Sequence, residues 1–153
     1  MADAEAAKLS IKERRLAREE AFRLVFQADQ GVVAFDDIVA LEASETVLSP
    51  TTWQWAADLA AGAWELRDTL DPRLDELASG WTLDRMASAD RAVLRLAAYE
   101  VLYRDDIPVG VSINEAVELA KRYGTDESPR FVNGILGNLA RQQTGEAAPA
   151  DES

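Results

Sequence analysis

Apolar residues recur at three- and four-residue intervals along most of the chain, the spacing of helices with one buried face. In the first segment Ala17, Ala21, Leu24, Val25 and Ala28 share a face at about 100° per residue. Punctuation residues bound the segments. Ser49-Pro50, Asp71-Pro72 and Ser128-Pro129 each read as a helix N-cap followed by proline in the first turn. Ser10-Ile11-Lys12-Glu13 and Ser112-Ile113-Asn114-Glu115 both fit a capping box. Gly31, Gly80 and Gly124 fall where periodic segments stop.

These signals predict an all-α protein of about seven helices: 10–30, 36–47, 50–70, 72–79, 89–104, 113–123 and 129–142. The only short strand candidate is Pro108-Val109-Gly110-Val111, and its proline and glycine argue against one. The segment 89–103 is apolar around most of its circumference, which predicts a central helix. Gly134 and Gly137 cost that last helix about 1 kcal/mol each relative to alanine. Close approach of another backbone, the central helix, is the expected compensation. Trp53, Trp64 and Trp81 are expected in the core. Residues 1–9 are expected to be a flexible start and 144–153 a disordered acidic tail, leaving 10–143 as one folded region.

The composition narrows the chemistry. With no histidine and no cysteine among 153 residues, the commonest general base and metal ligand and all thiol chemistry are missing. Three lysines, Lys8, Lys12 and Lys121, make amine catalysis a poor fit. Neither phosphate-cradling glycine motif is present, and the acidic pairs Asp36-Asp37, Asp105-Asp106 and Asp126-Glu127 lack calcium-loop spacing. The chain is therefore expected not to be an enzyme and to use no cofactor or metal. No apolar run is long enough to span a membrane and the first residues do not read as a targeting signal, so a cytoplasmic protein is expected.

The net charge of −12 opposes loose binding to nucleic acid. Its distribution is uneven. Residues 31–80 carry two basic and ten acidic groups, while Lys8 to Arg23 carry six basic and three acidic. In the first helix Lys12, Arg15, Arg18 and Arg23 lie away from the apolar face, with Phe22 and Phe26 among them. Such a surface suits phosphates and unstacked bases. It equally suits a solvated helix face whose phenylalanines pack under a neighbour. The acidic middle is either plain solubility charge or a docking face for a basic protein.

Three stretches carry a more specific signal. Asp90-Arg-Ala-Val-Leu-Arg-Leu-Ala-Ala-Tyr-Glu-Val-Leu-Tyr-Arg-Asp-Asp-Ile-Pro108 is followed by Ile113-Asn-Glu-Ala-Val-Glu-Leu-Ala-Lys-Arg-Tyr-Gly124, then by Asp126-Glu-Ser-Pro-Arg-Phe-Val-Asn-Gly-Ile-Leu136. In this order and spacing they resemble the signature of the NusB family of transcription antitermination factors. The start Arg14-Arg15-Leu-Ala-Arg18 resembles that family's arginine-rich beginning. The resemblance implies two packed helical lobes and no catalysed reaction. It implies a partner, the small-subunit ribosomal protein NusE, and a heterodimer that binds the single-stranded boxA element of rRNA leader transcripts. That heterodimer then joins an RNA polymerase complex that resists termination.

Matched to the family's motif, Arg14, Arg15 and Arg18 are RNA-binding positions, and Lys12 extends their patch. Phe26 stands where relatives often have tyrosine, keeping stacking but no phenolic hydrogen bond. Glu127, Arg130 and Phe131 match the loop and helix start that border the RNA site, and Asp90 matches an acidic position facing the protein partner. The alternative is a self-associating helical module, a homodimer when free, related to the N-terminal domain of rRNA cytosine methyltransferases.

Overall fold

A computed structural model describes residues 9–145. The expectations for a flexible start and an acidic tail therefore lie outside the described residues, apart from Leu9, Thr144 and Gly145. The described residues contain seven α-helices and no strand: α1 (Ile11–Asp29), α2 (Phe35–Glu45), α3 (Pro50–Glu65), α4 (Arg67–Leu77), α5 (Ser88–Tyr103), α6 (Val109–Tyr123) and α7 (Ser128–Thr144). A 3₁₀ turn, Leu83–Arg85, lies between α4 and α5. The chain divides into two units, one ending at Glu65 and the other starting at Leu66.

In the first unit α1 starts where the capping box predicts. The Glu13 N–H donates to Ser10 Oγ at 3.0 Å, and the Ser10 N–H donates to Glu13 Oε1 at 3.1 Å. The five residues of the expected apolar face are all buried. They pack on α3, whose Ala56, Ala60 and Ala63 are fully buried. Alanines on both helices let the backbones approach closely, and Leu24, Leu59 and Trp55 fill the remaining space. The helix α2 contributes only Ile38 to the core; Phe35 at its start stacks on Trp64 at 6.0 Å between ring centroids.

Glu20 of α1 is partly buried beside Glu42 of α2. Desolvation, then the Glu42 charge and hydrogen bond, push its carboxyl above the ordinary 4.5. The folded chain therefore holds this proton to higher pH than the unfolded chain does, and stability falls as pH rises from 4.5 through the raised value. Glu20→Gln is expected to raise Tm at neutral pH, with the gain vanishing below 4.5, where the native carboxyl is also neutral. Thermal melts across that range check this; a gain independent of pH would remove the titration as its cause.

In the second unit α5 is central, packing on α4, α6 and α7. Residues Ala92 to Ala98 are all buried, as its all-round apolar pattern predicts. Two charged residues are buried with them. Arg95 makes a two-pronged bond to Asp71 of α4, at 2.9 and 2.7 Å. Glu100 accepts from the Ser112 hydroxyl of α6 at 2.9 Å.

Several boundaries differ from the sequence expectation. The break foreseen at Asp71-Pro72 occurs earlier, at Leu66, whose carbonyl accepts from the N–H groups of both Thr69 and Leu70 at 2.9 Å. Pro72 then lies inside α4, where its ring removes one helical donor without ending the helix. The second capping box does not form. Helix α6 begins at Val109 behind Pro108, so Ser112 is already inside it and its hydroxyl serves Glu100. The Pro108 segment is thus a helix start. Ser128 begins α7 instead of capping it, and its hydroxyl accepts from the Thr125 N–H at 2.9 Å.

The glycines also sort differently. Gly31 and Gly80 take positive φ, but Gly124 is extended. A Cβ on Gly124 would meet Ser128 Cβ at 2.6 Å and the Ala120 carbonyl at 2.8 Å, so close packing is what requires it. Gly134 has nothing within 4 Å of its Cβ position, and Gly137 has only the Arg141 guanidinium near 3.8 Å. Among the described residues no other backbone comes within 4 Å of either Cβ position, contrary to expectation.

Candidate nucleic-acid and partner interface

The basic start of α1 is built against the start of α3. Glu13 closes the capping box with one oxygen and accepts from the Thr52 hydroxyl with the other, at 3.3 Å. Ser10 and Thr52 hold its carboxyl below the ordinary range. This fixes the first turn beside Trp55, which is 3% exposed. The Arg14 guanidinium carbon sits 5.6 Å and that of Arg18 5.2 Å from the Trp55 ring centroid, both within cation–π range.

The expected RNA-binding residues of α1 thus fall into layers. Lys12 and Arg15 are exposed. Arg14 is half-buried, with an Nε that finds no hydrogen-bond partner. Arg18 differs from the expectation: it is 3% exposed, because its stem lies in the α1–α3 seam and its head on the indole. Phe22 is buried too, while Phe26 is half-buried with its ring 5.9 Å from that of Phe22. Of the two phenylalanines, only Phe26 keeps a surface for stacking.

In the second unit the α5 and α7 starts and the 3₁₀ turn enclose a cleft of about 400 Å³. Glu127, Arg130, Phe131 and Asp90 all line it, so positions expected at two separate faces meet in one place. Arg130 is bonded to Glu127 at 2.6 Å, which raises the guanidinium pKa; both side chains are open to solvent. Asp90 is half-buried in the first turn of α5, and its Oδ1 has no hydrogen-bond partner. A carboxylate there is favoured by the helix dipole.

Among the members of this cleft that sequence reading missed are an aromatic and a basic side chain. Trp81, expected in the core, is 57% exposed and lines it, as does Arg85. The available signal was the turn itself. Ser79 and Gly80 both take positive φ, which swings the chain outward just before Trp81. The following turn is pinned from below. The Leu83 N–H donates to Asp75 Oδ1 at 2.7 Å, and the Arg91 guanidinium donates to the carbonyls of Leu83 at 2.7 Å and Met86 at 3.2 Å. An indole, a phenyl ring, two guanidinium groups and two carboxylates offer stacking, phosphate contact and cation binding. Among the described residues no group of three potential ligands is placed to hold a metal ion, and no helix is long and apolar enough to cross a membrane.

Known proteins resemble this chain in sequence and in fold. The NusB family model matches residues 15–141. The transcription antitermination protein NusB of Bacillus subtilis (strain 168) is 45% identical over 126 residues, covering 82% of this chain and 93% of that protein. Its counterpart from Paenarthrobacter aurescens (strain TC1) is 44% identical over 130 residues, 84% of this chain and 93% of that one. Among solved structures, T. maritima NusB gives a TM-score of 0.78 at 36% identity, covering 91% of this chain and 95% of that chain. A chain from the crystal structure of the antitermination factors NusB and NusE in complex with dsRNA gives 0.77 at 20% identity, covering 87% of this chain and 99% of that chain, a likeness of fold. With its family match spanning both helical units and such identity along most of two relatives, the chain belongs to the NusB family.

Proposed function

We propose that this protein is a cytoplasmic, non-catalytic transcription antitermination factor. In this reading it pairs with the basic ribosomal protein NusE, binds boxA RNA of rRNA leader transcripts, and joins an RNA polymerase complex that resists termination. The observation that carries the RNA part is the exposed Lys12–Arg15 surface on an otherwise acidic chain, with Arg14 and Arg18 held against Trp55 behind it. Phe26 supplies a stacking surface there, and Glu127, Arg130 and Phe131 border RNA in the second unit. Asp90 faces NusE. The net charge suppresses binding to arbitrary RNA, while a basic partner adds phosphate contacts that the chain lacks.

The layering of the arginines refines the roles. Arg15 contacts phosphate, and Arg18 holds the platform. Arg15→Ala is expected to weaken binding of a boxA single strand to the NusE-bound protein. It should also flatten the plot of log affinity against log salt by about 0.7. Arg18→Ala should instead lower thermal stability. Titrations at several salt concentrations, with single-stranded and duplex RNA, check this; an unchanged slope in Arg15→Ala places the RNA elsewhere.

A further inference from the structure

A second surface lies in the first unit, lined by none of the residues proposed above to contact RNA or NusE. The helices α1 and α2 and the linker after α2 leave an open groove of about 300 Å³. Its apolar part is Leu16, Val47 and Leu48; Val47 is 99% and Leu16 47% exposed. Glu19 and Glu20 form one wall, Glu42 and Glu45 the other. Arg23 is the one basic group lining the groove, bonded to Glu19 at 2.8 Å and 3.8 Å from Glu20.

The apolar and charged parts point to the same occupant. Exposed apolar side chains grouped in a groove mark a surface that buries them against something. Four carboxylates against one guanidinium repel RNA and anionic lipid. Two of them, Glu20 and Glu42, line the groove from opposite helices, and the Glu42 charge helps push the Glu20 carboxyl up, a repulsion that an incoming cation would relieve. Leu41 of α2, outside the groove, is also exposed.

We propose that this groove docks an amphipathic segment of a partner protein, with lysine or arginine side chains between Glu20 and Glu42 and apolar side chains on Leu16 and Val47. The charges steer the encounter and the apolar contacts set the lifetime. The proposal stands apart from RNA and NusE binding, because none of its residues belongs to those surfaces.

The test uses the full chain and a fluorescently tagged amphipathic helical peptide of lysine and leucine, with a glutamate–leucine peptide as control. Anisotropy should show binding of the first peptide only, weakening as salt rises. Glu42→Lys should reduce it by about tenfold or more, since like charges then meet. Val47→Ser should reduce it by a smaller factor. Glu118→Lys, the same charge change on α6, should leave it unchanged. Circular dichroism confirms that each variant folds, and RNA titration of the same variants should be unaltered. Equal binding by Glu42→Lys and parent overturns the proposal. So does sedimentation showing a homodimer that Glu42→Lys dissociates, which makes a second copy the occupant.

Discussion

Asp71→Ala is expected to destabilise the second unit by about 3 kcal/mol, more than removal of Arg95 does. The Arg95 side chain is 9% exposed in α5, and two of its bonds, at 2.9 and 2.7 Å, go to Asp71. Without Asp71 a buried cation loses the carboxylate that grips it with two bonds. Arg95→Met instead fills the space with an apolar chain and leaves Asp71, which is 24% exposed, to be hydrated. The double variant Asp71→Leu/Arg95→Met should recover most of the loss, because burying neither charge avoids the desolvation cost. Denaturant titrations of the four proteins check this, read at two wavelengths because two units need not unfold together. If Asp71→Ala costs no more than Arg95→Met, the pair acts as a surface contact.

Gly124→Ala should cost about 1–3 kcal/mol and impair the cleft as well. The new Cβ would overlap the Ser128 side chain and come within 2.8 Å of the Ala120 carbonyl. The carbonyl belongs to α6 and cannot move without unwinding its last turn. Ser128 cannot rotate away freely, because its hydroxyl accepts the Thr125 N–H that shapes the loop. The strain therefore passes into residues 125–128 and into Glu127, Arg130 and Phe131 beyond them. Gly124→Ser should be at least as damaging, while Gly134→Ala, in open space, should be neutral or stabilising by up to about 1 kcal/mol. Thermal melts order the three; a Gly124→Ala protein as stable as its parent would mean that the loop yields without strain.

The helices were legible because capping and periodicity agreed. Ser10 and Glu13 fixed the start of α1 to the residue, and the five-residue apolar face was buried as read. Position of the breaks was less legible. Proline predicts only that one donor is missing, and α4 absorbs that loss at Pro72 because the break at Leu66 has already redirected the chain. Ser112 shows the same limit. Its pattern matches a cap, yet the buried Glu100 carboxylate claims its hydroxyl, a contact across twelve residues that no local pattern reports.

For the candidate site, residue types were legible and depth was not. Arg18 reads as one more basic residue on α1, but alanine-lined packing with α3 brings Trp55 over it. Trp81 reads as core by its size and is carried outward by two successive left-handed residues. Asp90 and Glu127 come from motifs 37 positions apart and meet only once α5 and α7 pack.

The Arg91 clamp beneath the Trp81 turn grasps the main-chain carbonyls of Leu83 and Met86, and it also donates to the Ser88 hydroxyl in the first turn of α5. The two carbonyl bonds run to the main chain and do not involve the Trp81 or Arg85 side chain. Trp81 and Arg85 can be exchanged for other residues while the frame that presents them persists. The lining of the cleft can therefore vary at these two positions while the main-chain mount beneath them stays the same.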